Sequence, residues 1–523
     1  MALQQSEVRG RELNPRRWWT LIAVCAASFM LLVDVTIVQV ALPTIQRHLH
    51  ASFSDLQWVI DAYALTLATL ILTWGSVSDR FGRKRVFIFG LIVFTVSSLL
   101  CGIAGSITML IWARALQGVG GAAMFATGLA LIGQDFQGRE RGKAIAAWGA
   151  TVGGAVAIGP LVGGVLTSGL GWRWIFFVNL PVGVAALWVS VSRMVNQGDP
   201  GATGLDVAGL VTFSAAMFLL EYALIRGNAI GWQSAELLSL LGGAALAMLL
   251  FIFAELRQSR PMFDLSLFRK PGFTGVCVGT FAVGAGMFAL LPYLTFYLQN
   301  DLGFSPLAGG VRLLPSTLLA FLVPLTFRSV TEKLPAGLVL GGGIAITAGG
   351  IAALLAVSAT SSWTALIPGE LLAGFGIGIS NPAIARVGLG VVPPERSGMA
   401  SGISNTFRIG GLATGVAALG AIFQQRITTE LTPLFGVHAA ALGKIVSSAG
   451  VAAAVAAVHG QAGAATATRV AFISGLHLIL VIGTVLVAFG AVVSVALVRA
   501  KDFVHPPGPL AVHQDEQVSA LEG

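Results

Sequence analysis

The stretch GSVSDRFGRKRVF, Gly75–Phe87, sets a dense basic cluster between two apolar runs. The run before it covers 56–77 and the run after it 86–107. A tight turn between two helices calls for a residue without a Cβ, and Gly82 supplies it. Arg80, Arg83, Lys84 and Arg85 would anchor the turn at one membrane face. Asp79 can cap a helix or pair with those cations. Apolar runs of about 20 residues on both sides describe a hairpin of two spanning helices.

The rest of the chain follows the same plan. Of its 523 residues 55% are hydrophobic and 10% charged, where a soluble domain carries about 25% charged residues. Such a chain cannot cover a soluble surface and belongs in a membrane. Fourteen apolar runs are expected to span: 18–42, 56–77, 86–107, 109–133, 143–167, 173–195, 206–226, 234–256, 272–299, 307–327, 337–358, 363–385, 398–424 and 469–499. Placing the N-terminus inside puts 22 of the 31 Lys and Arg residues on the cytoplasmic side and 7 outside; Arg114 and Arg408 fall within spans. That asymmetry puts both termini in the cytoplasm, and no cleavable signal peptide is expected ahead of the first span. Three cysteines, all in apolar runs, make no disulfide framework.

Thr108–Ala122 (TMLIWARALQGVGGA) and Thr364–Gly378 (TALIPGELLAGFGIG) agree at six of fifteen positions with an offset of 256. Each opens the fourth span of a set of six with the same orientation, the signature of a parallel repeat. The implied organisation is a cytoplasmic tail at 1–17, a six-helix bundle at 18–200, an inserted hairpin at 201–260, a second six-helix bundle at 261–499 and a cytoplasmic tail at 500–523. An outer segment at 426–468, with the alanine-rich IVSSAGVAAAVAAV, is too short to span and reads as a surface helix or loop.

Charges inside the spans are costly and invite a function. At 1.5 Å per residue, Asp34 lies about 12 Å inside the outer end of its span. Asp61 and Arg114 lie about 8 Å in, and Glu370 about 10 Å in. The four are expected to share one level and to face a cavity or one another. Structural roles stay open: Asp34 as a hydrogen-bond acceptor, Arg114 as its counter-ion, Asp61 and Glu370 as hydrated interfacial acids. Glu221, in the inserted hairpin, reads as structural. Arg408 either snorkels or lines the cavity. Met287, Phe288, Tyr293, Phe296 and Tyr297 in span 9, with Asn381, are candidates for a substrate cavity. In span 5, Gly149 and Gly153, then Gly159 and Gly163, sit four apart, which permits close helix approach. Pro160 removes a backbone hydrogen bond from that helix.

The order G-x-x-x-D-R-x-G-R-[KR] at Gly75, Asp79, Arg80, Gly82, Arg83 and Lys84 resembles the loop signature of the major facilitator superfamily, with Val77 where leucine is usual. LLVDVTIVQVALPTIQ (31–46), RALQGVGGA (114–122), GWRWIFFVNLPVG (171–183) and SGISNTFRIGGLATGVAALGAIF (401–423) resemble motifs of its fourteen-span QacA/EmrB-like drug:proton antiporters. GATVGGAVAIGPLVGGVL (149–166), with Gly153, Gly159, Pro160, Gly163 and Gly164, resembles the antiporter motif. The resemblance covers about residues 15–500. It implies an all-α two-bundle transporter of the bacterial inner membrane, exporting amphipathic drugs for protons by alternating access. The 75–84 loop would be a conformational latch, and Asp34, Asp61, Arg114 and Glu370 the proton-coupling groups, with Asp34 first and Asp61 second. Spans 10 and 13 lack the acids that some QacA-like pumps carry for dicationic substrates.

Other readings on the same fold are uptake of a nutrient, transport of an endogenous metabolite, natural product or lipid, and a non-transporting receptor. No G-x-x-x-x-G-K-[ST] points to ATP, and the seven histidines form no ligand cluster. The expectation is a monomer with no enzymatic activity, cofactor, metal or nucleic-acid partner, driven by the proton gradient and in contact with membrane lipids.

Overall fold

A computed structural model of the chain describes residues 17–136, 138–194, 206–258, 261, 263–331, 333–392, 397–458 and 463–503. The tails at 1–16 and 504–523 lie outside the described residues.

The apolar runs fold as helices whose starts are capped by the polar residues between them. α1 (Arg17–Leu49) and α2 (Phe53–Phe81) meet at a capping box. There Ser52 N donates to Asp55 Oδ2 at 2.9 Å, and Asp55 N donates to Ser52 Oγ at 3.2 Å. This satisfies two of the amides a helix start leaves unpaired. α3 (Arg83–Gly102) follows the turn at Gly82, whose φ of 97° suits glycine. α4 (Ile107–Asp135) starts at Ser106, which accepts from Met109 N. α5 (Gly138–Gly169) bends by 42° between Ala155 and Ala157. The bend brackets the carbonyl four residues before Pro160, the one a proline deprives of its donor. α6 (Asn179–Arg193) closes the first bundle.

α7 (Val207–Ile230) and α8 (Ala235–Arg257) form a hairpin packed on α2 and the second bundle. The second bundle begins with α9 (Pro271–Gly286), which continues through a 3₁₀ turn at Phe288–Leu290, a short helix at Leu291–Phe296 and a π-turn at Tyr297–Asp301. α10 is bent by 42° between Pro306–Arg312 and Leu314–Thr326. α11 (Ala336–Ala353), α12 (Ile367–Gly390) and α13 (Ser397–Phe435) follow. α13 runs eleven residues past the span end expected at 424. α14 (Ala439–Ala457), kinked at Gly450 with φ 86°, caps the bundle end. Of the two readings of the alanine-rich patch, surface helix or loop, the helix is the one seen, and it packs on the bundle: Leu442, Val446 and Ala454 are buried. α15 (Ala464–Leu497) completes the chain. Among the described residues eleven helices are long and apolar enough to cross a membrane, thirteen when each of two bent pairs counts as one span.

The 256-residue offset is visible in three dimensions. A Cβ on Gly118 of α4 would meet Thr66 and Tyr63 of α2; one on Gly374 of α12 would meet Ser316 of α10. A Cβ on Gly120 would lie 2.5 Å from Phe94 N of α3; one on Gly376 would lie 2.5 Å from Thr347 N of α11. The same two glycines thus seat the same two neighbours in each half.

Candidate transport site

Asp34 of α1 is fully buried, and Arg114 of α4 is 2% exposed. Arg114 NH1 donates to Asp34 Oδ2 in a direct ion pair. The other carboxylate oxygen accepts from Gln117 Nε2 at 3.0 Å and Asn179 Nδ2 at 3.2 Å. Both amides also reach Ser98 Oγ, at 2.8 and 3.4 Å. Arg114 also donates from Nε to Val59 O (3.1 Å) and from NH1 to Gln117 Oε1 (2.7 Å), and its guanidinium lies 4.2 Å from the Tyr63 ring centroid. A carboxylate with this many donors is a satisfied anion, and each partner depends on the others. The network joins α1, α2, α3, α4 and α6, so a change of charge on Asp34 acts on the whole first bundle.

The other acids lie elsewhere. Asp61 of α2 is fully buried, and neither carboxylate oxygen has a hydrogen-bond partner. Its electrostatic neighbour is Glu221 of α7, also fully buried, with Oε1 accepting from Thr414 Oγ1 at 2.8 Å and Oε2 unpartnered. Trp58, one turn before Asp61, packs on Phe218 and Tyr222 and fixes this meeting of helices. The hairpin thus places a second buried acid near Asp61. Glu370, at the repeat position of Arg114, is 3% exposed with both oxygens unpartnered. It sits in the second bundle, so of the four expected charges Asp34 and Arg114 pair with each other, Asp61 has Glu221 as its neighbour, and Glu370 has no ionic partner among the described residues. Glu221→Gln would keep the Thr414 bond and let an amide donate to Asp61. Two ionised acids repel more as pH rises, so this variant should gain thermal stability over the wild type, more at pH 9 than at pH 6. A melting series across pH checks it; an equal or lower melting temperature at pH 9 would contradict it.

Between the two bundles lies a cavity. Its polar and charged lining is Thr36, Gln39, Tyr63, Arg114 and Arg408; Leu31, Val35, Phe125, Phe288 and Leu412 stand for its apolar wall. A second, smaller space adjoins it past Met287, Phe288 and Pro160. Of the span-9 candidates, Met287 and Phe288 therefore line cavity. Tyr293, Phe296 and Tyr297 do not: Tyr293 OH donates to Val416 O at 2.7 Å, and the three rings pack on Phe53, Phe423 and Phe472. Leu291 and Thr295, four and eight residues after Met287, continue the cavity-facing stripe at helical spacing, and at about 100° per residue the three rings fall on the opposite side of the helix. Asn381 is exposed and lines neither space. Its neighbour Ser380 is the buried one, against Gly343, and the next residue on a helix points about 100° away.

Residues 24–416 match the sequence profile of the Major Facilitator Superfamily. The chain belongs to that superfamily. Among its relatives it is 33% identical over 423 residues to the multidrug resistance protein Stp of Mycobacterium tuberculosis, covering 80% of this chain and 78% of that one. It is 38% identical over 306 residues to the tetracenomycin C resistance and export protein of Streptomyces glaucescens, covering 58% of this chain and 57% of that one. In fold it is similar to the crystal structure of a bacterial homologue of the human lysosomal transporter Spinster, with TM-score 0.62 and 19% identity over 95% of this chain and 100% of that one.

In this multi-pass membrane protein of the superfamily, the remaining motif residues sit where two bundles meet or where helices turn. The halves meet closely toward Ser168. A Cβ on Gly164 of α5 would lie 2.7 Å from Leu307 Cα, and one on Gly310 of α10 would lie 2.3 Å from Pro160 O. Leu307 N donates to Ser168 Oγ at 3.0 Å, and Gln299 Nε2 donates to Val40 O at 2.8 Å. Gly159 and Gly163 face α1, at Thr36 and Ile37, and Gly153 faces Phe321 of α10. Toward the Gly82 end, Gly75 and Gly149 have free space beside them. The cavity is thus sealed at the Ser168 end. In the Gly82 turn, Lys84 Nζ donates to Val191 O (3.0 Å) and Met194 O (2.6 Å), and Arg83 NH1 to Ala130 O (3.3 Å). These bonds tie the start of α3 to the ends of α4 and α6. Arg80 is exposed beside the Phe81 ring; the Asp79 side chain lies outside the described residues.

Proposed function

We propose that this protein exports small amphipathic molecules, antibiotics among them, in exchange for protons, as a fourteen-span antiporter of the QacA/EmrB type. α2, 29 residues long, is the span that joins the thirteen to make fourteen. Both termini face the cytoplasm of a bacterial cell, by the excess of Lys and Arg in the loops on that side, so the sealed Ser168 end is external. The protein acts as a monomer with no cofactor, drawing on the proton gradient.

The observation that carries this reading is the buried Asp34–Arg114 pair, with Arg114 on the cavity wall. A proton on Asp34 cancels the pair and leaves Arg114 with carbonyl oxygens and an aromatic face only. The first bundle then favours a different packing, and the carrier reorients. Substrate entering from the cytoplasmic side stabilises the paired state, and the Asp34 proton leaves to the cytoplasm as the pair with Arg114 re-forms. Asp61 with Glu221 is the second place where a proton can be held. The names of the relatives, for multidrug resistance and for tetracenomycin C export, support outward transport of drug-like compounds. One charge crossing roughly 180 mV releases about 4 kcal/mol, enough for a gradient of about 10³.

Everted vesicles from a pump-deficient host test this. Respiring vesicles carrying the protein should accumulate a drug that control vesicles do not, and a protonophore should abolish the accumulation. Accumulation that needs ATP and survives the protonophore would overturn it.

A further inference from the structure

The charges facing the main cavity are one-sided. Its lining includes two cations, Arg114 and Arg408, and no carboxylate. Arg114 is neutralised by Asp34. Arg408, on α13, donates to the neutral Asn405 Oδ1 at 3.0 Å, and no ion pair to it occurs among the described residues. Its backbone is fixed, because a Cβ on Gly284 of α9 would lie 2.3 Å from Arg408 O. None of the buried intramembrane acids Asp61, Glu221, Glu255 and Glu370 is on the cavity wall. The other polar groups at the wall, Thr36, Gln39 and Tyr63, can all donate hydrogen bonds.

We propose that the transported molecule is an amphipathic organic anion, an apolar body bearing one carboxylate, phenolate or sulfonate, which docks on Arg408. This rests on the transport reading above and names its substrate class. A guanidinium presents a planar fork of donors that matches such an oxyanion. The aliphatic wall with Phe125 and Phe288 takes the apolar body. A lipophilic cation in the same space meets an uncompensated positive charge. At about 6 Å and an effective dielectric near 20, the repulsion disfavours it by roughly 10²-fold. Export of an anion in exchange for one proton moves two charges in the same electrical sense, so the membrane potential acts on both.

The test uses a pair of dyes on one skeleton. 1-Anilinonaphthalene-8-sulfonate is an anion, N-phenyl-1-naphthylamine is its neutral counterpart without the sulfonate, and ethidium is a cation. Binding of each to the purified full-length protein is measured by titration calorimetry, with no gradient present. Proton-driven transport of each is measured in proteoliposomes. The wild type should prefer the sulfonate to ethidium by tenfold or more. Arg408→Gln should lower the ratio of sulfonate to neutral-dye binding about tenfold, and Arg408→Lys should restore part of it. Retained binding of the neutral dye reports that the variant is folded. Equal preference for ethidium, or an unchanged ratio in Arg408→Gln, overturns the proposal. Selective sulfonate binding without proton-driven transport would leave the substrate class standing and remove the antiport reading instead.

Discussion

Arg114→Gln should be poorly stable and transport nothing, whereas Asp34→Asn with Arg114→Gln should recover most of the stability and none of the transport. The single change leaves Asp34 buried without its cation. Removing one partner of a buried pair costs about 3–5 kcal/mol, whereas removing both can be nearly neutral. The surroundings suit an amide pair: Gln117, Asn179 and Ser98 already offer donors and acceptors at hydrogen-bonding distance. Transport is a different matter, because two amides cannot alternate between paired and unpaired charge. Melting curves of the purified variants and drug accumulation in everted vesicles separate the two effects. A double variant no more stable than Arg114→Gln, or one that still exports, would contradict this account of the pair.

Gly164→Leu should leave the protein folded but hold its halves apart at the Ser168 end. A Cβ at that position would approach Leu307 Cα to 2.7 Å and Pro306 O to 2.8 Å, and backbone atoms have nowhere to retreat. Forcing methylenes into such a contact costs about 1–3 kcal/mol, and each 1.4 kcal/mol shifts an equilibrium tenfold. The parted conformation escapes that cost, so its population rises. Val35 lines the cavity, which makes Val35→Cys a reporter. A membrane-impermeant maleimide should label it from the Ser168 side much faster when Gly164→Leu is present. Unchanged labelling would show that the glycine contact does not hold this end shut.

How much of this could be read in the sequence varied with the kind of signal. Asp34 and Arg114 stood out because a charge in an apolar run is expensive wherever the fold puts it. Gln117 and Asn179 carry no such penalty, and nothing in their spacing tied them to a residue 83 or 145 positions away. Both fall inside motifs that were quoted, which is the signal that existed for them. Glu221 was visible as an intramembrane acid, but its role depended on which face of the hairpin turned inward, and a uniformly apolar hairpin has no periodicity to tell. Gly118 and Gly374 announced the repeat, since identical glycines at a constant offset need identical neighbours. Tyr293, Phe296 and Tyr297 differ from Met287 and Phe288 because they fall on the opposite side of the same helix, where Leu291 and Thr295 continue the cavity face, and an apolar composition on all sides does not show which side turns inward. Within 426–468 the alanine-rich patch, too short to span, has apolar residues enough to pack against the ends of its neighbours as α14, which is the helical one of its two readings.

The central claim is that proton and substrate move in opposite directions through Asp34. Purified protein in proteoliposomes loaded with a pH-sensitive dye and a transported drug, then diluted into drug-free buffer, tests it most directly. As drug leaves down its own gradient through the wild-type protein, the lumen should acidify. With Asp34→Asn the drug should leave, if at all, with no proton movement. A lumen that stays at constant pH or turns alkaline with the wild-type protein, or an Asp34→Asn variant that still acidifies it, would contradict the account.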